Sequence, residues 1–74
     1  MAFTLILTSI LKDYAGGRDR LELAPGPTIE DVLAATGIPS ALVAAVFRGS
    51  DLVSKDYQPH DGETIRLVAI MGGG

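Results

Sequence analysis

The residues best suited to chemistry are the last three of the sequence, Gly72, Gly73 and Gly74, because the side chains elsewhere assemble none of the usual reactive constellations. One histidine and no cysteine leave no thiolate nucleophile, no disulfide framework and no thiolate metal site. The patterns GxxxxGK[ST], HExxH and GxSxG are absent, and with them the signatures of phosphate loops, helical zinc sites and nucleophile elbows. Neither a metal nor a bound cofactor is expected. His60 stands between Pro59 and Asp61 without a second ligand cluster and reads as a solvated loop residue. Asp56, Asp61 and Glu63 form at most a weak acidic patch, of a kind that is ordinarily just hydrated. Lys12 and Lys55 are available as amine acceptors, but nothing sets them apart from other surface lysines.

Three successive glycines at a terminus are a different kind of feature. Glycine has no side chain and is costly to order, so the run is expected to form a flexible, narrow thread. At roughly 3.3–3.6 Å per residue it reaches at most about 10 Å, enough to carry a terminal carboxylate into a partner's cleft. A carboxylate is inert until activated. Attack of its oxygen on the α-phosphate of ATP, supplied and used by an activating partner, gives an acyl adenylate. A sulfur nucleophile can then displace AMP to form a thiocarboxylate, or an amine can displace it to form an amide. On this reading Gly74 is the reacting residue, and Gly73 and Gly72 provide its clearance. The competing reading is an incidental glycine-containing end; the position of the run, directly after a strand-like segment, weighs against it.

The rest of the chain must position that tail. Seventy-four residues make one domain with a high surface-to-volume ratio and little room for a deep internal pocket, which points to a carrier or co-substrate protein rather than an enzyme. Residues 3–11 read as a strand, with Phe3, Leu5 and Leu7 alternating against Thr4 and Thr8, although Ile6 and Ile10 blur the alternation. Residues 12–19 contain Gly16-Gly17 and read as a loop, and Leu21 and Leu23 alternate with Arg20 and Glu22 in a returning strand. Pro25-Gly26-Pro27 stops the ladder. Thr28 with Asp31 three positions on is a relative of the capping box, and Ile29, Val32 and Leu33 give the following helix one apolar face. Gly37 ends that helix, Ile38 supplies the accompanying apolar contact, and Pro39 prevents continuation. The almost wholly apolar run 42–47 reads as a buried strand, Arg48-Gly49-Ser50-Asp51 as its turn, Leu52-Val53 as a short partner strand, Asp61-Gly62 as a tight turn and residues 64–70 as the last strand.

Strand, strand, helix, strand, short strand, strand is an α+β order. It can bury its apolar surface if the helix lies across one face of a mixed sheet of four to five strands, the ubiquitin-like β-grasp arrangement. Residues 1–71 are expected to form this domain and 72–74 its tail.

At this point the sequence resembles the sulfur-carrier family of ThiS and MoaD, the latter being the small subunit of molybdopterin synthase. The resemblance spans the whole chain and rests on Thr28-Ile29-Glu30-Asp31-Val32-Leu33, Gly37-Ile38-Pro39, Asp61-Gly62-Glu63 and the terminal Gly73-Gly74. Only the last pair is specific for function. The resemblance implies that Gly74 is adenylated by a ubiquitin-activating-type enzyme and converted to a thiocarboxylate, with Gly73 as the second required glycine. It also implies a sulfur-accepting synthase as partner, either the molybdopterin-synthase large subunit or a thiazole synthase. Family members often carry Asn-Gly where this chain has Arg48-Gly49, and a Pro-rich or Ser-containing approach to the tail where it has Ala69-Ile70-Met71-Gly72. The segment 13–19 and the overall length lean toward the molybdopterin type. Phe47, Val68, Ile70 and Met71 are the candidate docking residues, because contact near the end of the last strand would aim the glycines at a partner's active site.

Other partner classes fit less well. Six basic residues against nine acidic ones give a net charge of -3, with the basic residues scattered, which argues against nucleic acid. No apolar run approaches the roughly 18 residues of a membrane span, and the first residues lack the basic start of a signal peptide, so a cytoplasmic setting is expected.

Overall fold

In a computed structural model, which describes residues 1–70, the chain forms a five-stranded mixed sheet with one main helix across one face. The strands are β1 (Phe3–Leu7), β2 (Arg20–Leu23), β3 (Val43–Arg48), β4 (Asp51–Val53) and β5 (Thr64–Ala69), and the helix is α1 (Ile29–Thr36). Their order across the sheet is β2-β1-β5-β3-β4. β1 and β5 are parallel, and the other three pairings are antiparallel. This is the expected β-grasp topology.

Alternation along the strands decides which face is buried. Phe3, Leu5 and Leu7 of β1 and Ile65, Leu67 and Ala69 of β5 point to the same face, where they meet Ile29, Val32 and Leu33 of α1 in one apolar cluster. Leu11, Ile38, Val43 and Val46 join it.

The helix ends are the most fully specified local feature. The Thr28 hydroxyl accepts from the Asp31 N–H at 3.1 Å, and the Asp31 carboxylate accepts from the Thr28 N–H at 3.3 Å, a complete capping box. The two first-turn N–H groups that the box does not reach are taken up by a distant loop: Ile29 donates to the Tyr57 carbonyl at 3.0 Å and Glu30 to the Lys55 carbonyl at 2.9 Å. The Lys55 ammonium in turn donates to the Ser40 carbonyl at 2.8 Å and hydroxyl at 2.9 Å, fastening this loop to the 3-10 turn Ser40–Leu42. At the other end Gly37 has φ of 79°, a left-handed conformation glycine adopts without penalty, and the Ile38 N–H donates to the Leu33 carbonyl at 3.0 Å.

Several sequence expectations need correction. The strand expected over residues 3–11 stops at Leu7, because Ser9 turns the backbone to φ of 51° and Ser9–Ala15 then winds into a 3-10 helix. The segment read as a loop over 12–19 is therefore partly helical. Leu11 is still fully buried, and its apolar character reflects packing from a helix rather than from a strand. Residues 42–47 were expected as a buried strand; β3 begins one residue later, ends one residue later at Arg48, and buries only one face, with Ala44 exposed and Phe47 half-buried. The last strand ends at Ala69 rather than residue 70.

Candidate functional site

β5 leads toward the C-terminus, so what it presents on its outer side bears directly on the expected chemistry. Ile65, Leu67 and Ala69 are buried beneath α1, which by strand alternation sends Thr64, Arg66, Val68 and Ile70 to the opposite face. Beside them, β3 pairs Ala45 with Val68 and Phe47 with Arg66, and β4 places Leu52 opposite Phe47. Phe47, Val68 and Ile70 therefore share the outer face. Phe47 and Val68 are half-buried, whereas Ile70 is 42% exposed and Leu52 69% exposed. The Arg66 guanidinium lies 5.2 Å from the centre of the Phe47 ring, in cation–π range. The result is an apolar strip across three strands with a positive charge on its surface. A register irregularity between Val43 and Ala45 lets β3 keep both its buried Val43 and its outward Ala45.

The backbone is held firmly up to this point. The Thr8 hydroxyl donates to the Leu67 carbonyl at 2.8 Å, Val43 pairs with Ala69, and the Ile70 N–H donates to the Leu42 carbonyl at 2.9 Å. Met71, Gly72, Gly73 and Gly74 lie outside the described residues. Sequence reasoning missed Leu52, Ala45 and Arg66 as members of the outer face; the Leu52-Val53 alternation opposite 46–47 was the signal available for the first.

Of the other polar residues singled out in the sequence, His60, Asp61 and Glu63 lie together at the opposite end of β5, where Asp61 and Glu63 do structural work. The Tyr57 hydroxyl donates to the Glu63 carboxylate, at 2.6 and 2.7 Å to its two oxygens, and the His60 N–H donates to the same carboxylate at 2.7 Å. These hydrogen bonds, the Tyr57 one first, hold the Glu63 carboxyl below the usual carboxylate range. Arg48 sits 5.4 Å from the centre of the Tyr57 ring and 3.2 Å from Asp51; its hydrogen bonds to Tyr57 and then Asp51 raise its already high pKa. The Asp61 carboxylate accepts from the Ala2 N–H at 2.8 Å, tying the start of the chain to the Asp61-Gly62 turn. His60 is exposed, with Nδ1 3.4 Å from Glu63. Among the described residues no group of three or more His, Cys, Asp or Glu side chains could hold a metal ion. Lys12 is exposed, whereas Lys55 is engaged with Ser40.

Open grooves also lie among the described residues. One of about 420 Å³ is lined by Pro25, Gly26, Gln58, Pro59, His60 and Asp61, and one of about 520 Å³ runs between β2 and α1. Among the described residues no helix is long and apolar enough to cross a membrane.

This architecture is the ubiquitin-like β-grasp fold. The sequence matches no family model and no curated protein. Among solved structures the fold is similar to SAMP1 from Haloferax volcanii, with a TM-score of 0.66 and 20% sequence identity, covering 100% of both chains.

Proposed function

We propose that this protein is a sulfur carrier that works through the carboxylate of Gly74. In the first step a Gly74 carboxylate oxygen attacks the α-phosphate of ATP within a ubiquitin-activating-type enzyme, forming the acyl adenylate and releasing pyrophosphate. In the second, a sulfur nucleophile at the sulfide level attacks the acyl carbon, the C–O bond to AMP breaks, and the thiocarboxylate forms. The thiocarboxylate is then delivered to a synthase in cofactor assembly, with the molybdopterin type favoured over the thiamine type.

The observation that carries this reading is the coincidence of two features on β5. In the sequence only Ile70 and Met71 separate the strand from the glycine run, and its outer side shares an apolar strip with β3 and β4 on which Ile70 and Leu52 are exposed. Phe47, Val68 and Ile70 form the core of that docking face. A partner seated there has the reacting terminus within about 10 to 15 Å of its contact, given four residues beyond Ile70 at roughly 3.3–3.6 Å each.

A second reading is conjugation to amines of other proteins through the same terminus, since an amine can displace AMP from the same acyl adenylate. Both readings share the adenylation step and diverge at the nucleophile. Incubation with ATP, an activating enzyme and a sulfide donor separates them by mass spectrometry. A thiocarboxylate supports the carrier, lysine adducts support the modifier, and formation of neither overturns both in favour of a passive interaction module.

A further inference from the structure

The strand at one side of the sheet has an unusual symmetry. β2 is an edge strand. The Thr4 N–H donates to the Glu63 carbonyl beside β5, at 2.8 Å, and the Leu7 N–H donates to the Asp19 carbonyl at 2.9 Å. Successive residues of a strand direct their backbone groups to opposite sides, so Phe3, Leu5 and Leu7 face β2, and Leu23 and Leu21, paired with Phe3 and Leu5, face back. Arg20 and Glu22 consequently direct their N–H and C=O groups outward along the free edge.

We propose that this edge pairs with β2 of a second copy of the chain, antiparallel, about a two-fold axis through Leu21. The register follows from charge. Edges normally carry charged side chains that discourage pairing. Here the two exposed charges are of opposite sign and flank the axis symmetrically, and the Glu22 carboxylate is steadied on the outer face by accepting from the Thr4 hydroxyl at 2.7 Å. Antiparallel pairing centred on Leu21 therefore sets Arg20 of each copy opposite Glu22 of the other. Both are hydrogen-bonded positions, so each of the two cross-strand pairs exchanges two backbone bonds, four in all. The opposed side chains have their Cβ atoms about 4.5–5.5 Å apart, within ion-pair reach on the outer face.

On the helix face the half-buried Leu21 side chains of the two copies meet on the axis. The second copy then covers the open side of the groove of about 520 Å³ lined by Leu23, Ala24, Pro27, Val32 and Ala35 among others. The other edge has no such symmetry. Centred on Leu52, β4 would place Asp51 opposite Val53, so no complementary charge pair forms there. The ladder is short, so the dimer is weak, and it joins two sheets into one of ten strands. It also leaves the apolar strip on β3 and β5 open, on strands removed from the interface.

Sedimentation of the full chain over a concentration series up to about 1 mM tests the proposal. The wild type is expected to shift from monomer to dimer. Arg20→Glu alone opposes glutamates at both pairs, and Glu22→Arg alone opposes arginines, so each weakens self-association by about tenfold or more. An equimolar mixture of these two single variants restores complementary pairs and forms a heterodimer. The double variant Arg20→Glu/Glu22→Arg exchanges the signs and self-associates again, while circular dichroism checks that each variant is folded. A wild type that stays monomeric at about 1 mM overturns self-pairing and leaves the edge to a strand of another protein. Single variants that dimerise as well as the wild type overturn the Leu21 register.

Discussion

Glu63 is the side chain on which most of the loop chemistry converges, and its hydrogen bonds make a pH prediction possible. Because its folded pKa lies below the ordinary value of 4.5, the carboxylate contributes stability that is fully present above that value. The contribution is lost as pH falls through the lower folded value, when protonation removes the charge that Tyr57 and His60 bond. Thermal melting followed downward from pH 4.5 should show this loss, and Tyr57→Phe, which deletes the first cause of the shift, should flatten the profile there. A variant whose acid profile overlays that of the wild type would show that the Tyr57 bond does not set the Glu63 pKa. These roles were illegible in the sequence. Nothing in Asp61-Gly62-Glu63 reveals that one carboxylate reaches the Ala2 N–H and the other a tyrosine six residues back, since both depend on how the loops fold against each other. At the same scale, Val68→Arg places a charge among Ala45, Phe47 and Ile70 on an already solvent-accessible face. It should leave the melting temperature nearly unchanged while raising the KM of the activating enzyme for this protein. Unaltered activation kinetics would remove the outer face of β5 from the docking surface.

Elements were legible where their ends are written in local chemistry. α1 runs from the Thr28 cap to Gly37, as its sequence implied, because the capping box and the left-handed glycine both act within a few residues. β1 was misread for the opposite reason. Residues 3–11 are apolar enough for a long strand, and the break at Ser9 is a single left-handed serine that no local residue type announces. The outer face was similarly half-legible, since apolar types in 42–47 and 64–70 do not show which of them face α1 until register is known. Two measurements test the energetic view of the helix. Leu33 is 1% exposed in the main apolar cluster, so Leu33→Ala should cost about 2–5 kcal/mol in chemical denaturation. Thr28→Ala removes the acceptor for the Asp31 N–H at the surface end of the helix and should cost about 1 kcal/mol. Equal losses would mean that packing and capping are not separable here as their burial implies.

At the scale of the whole molecule, the proposed chemistry lies beyond the core-forming residues in the sequence. Among the described residues, the cluster that holds the sheet to α1 draws on residues 3–69, and the last described backbone bond, from Ile70 to Leu42, precedes the glycine run in the sequence. If the function resides in the carboxylate of Gly74, chemistry can be abolished without touching stability. Deleting Gly73 and Gly74 should leave the melting temperature nearly unchanged, whereas a loss on the order of 2–5 kcal/mol would mean the tail is packed against the core. Appending one residue after Gly74 is the sharper test. It moves the carboxylate by about 3.3–3.6 Å and puts a peptide bond where the acyl phosphate must form, so ATP–pyrophosphate exchange with the activating enzyme should collapse while docking through Phe47, Val68 and Ile70 persists. Gly73→Val probes clearance separately: the carboxylate keeps its place, but a β-branched side chain meets the walls of the partner's channel and exchange should fall. Exchange at the wild-type rate by the extended protein would show that the Gly74 carboxylate does not react, whatever the docking face binds.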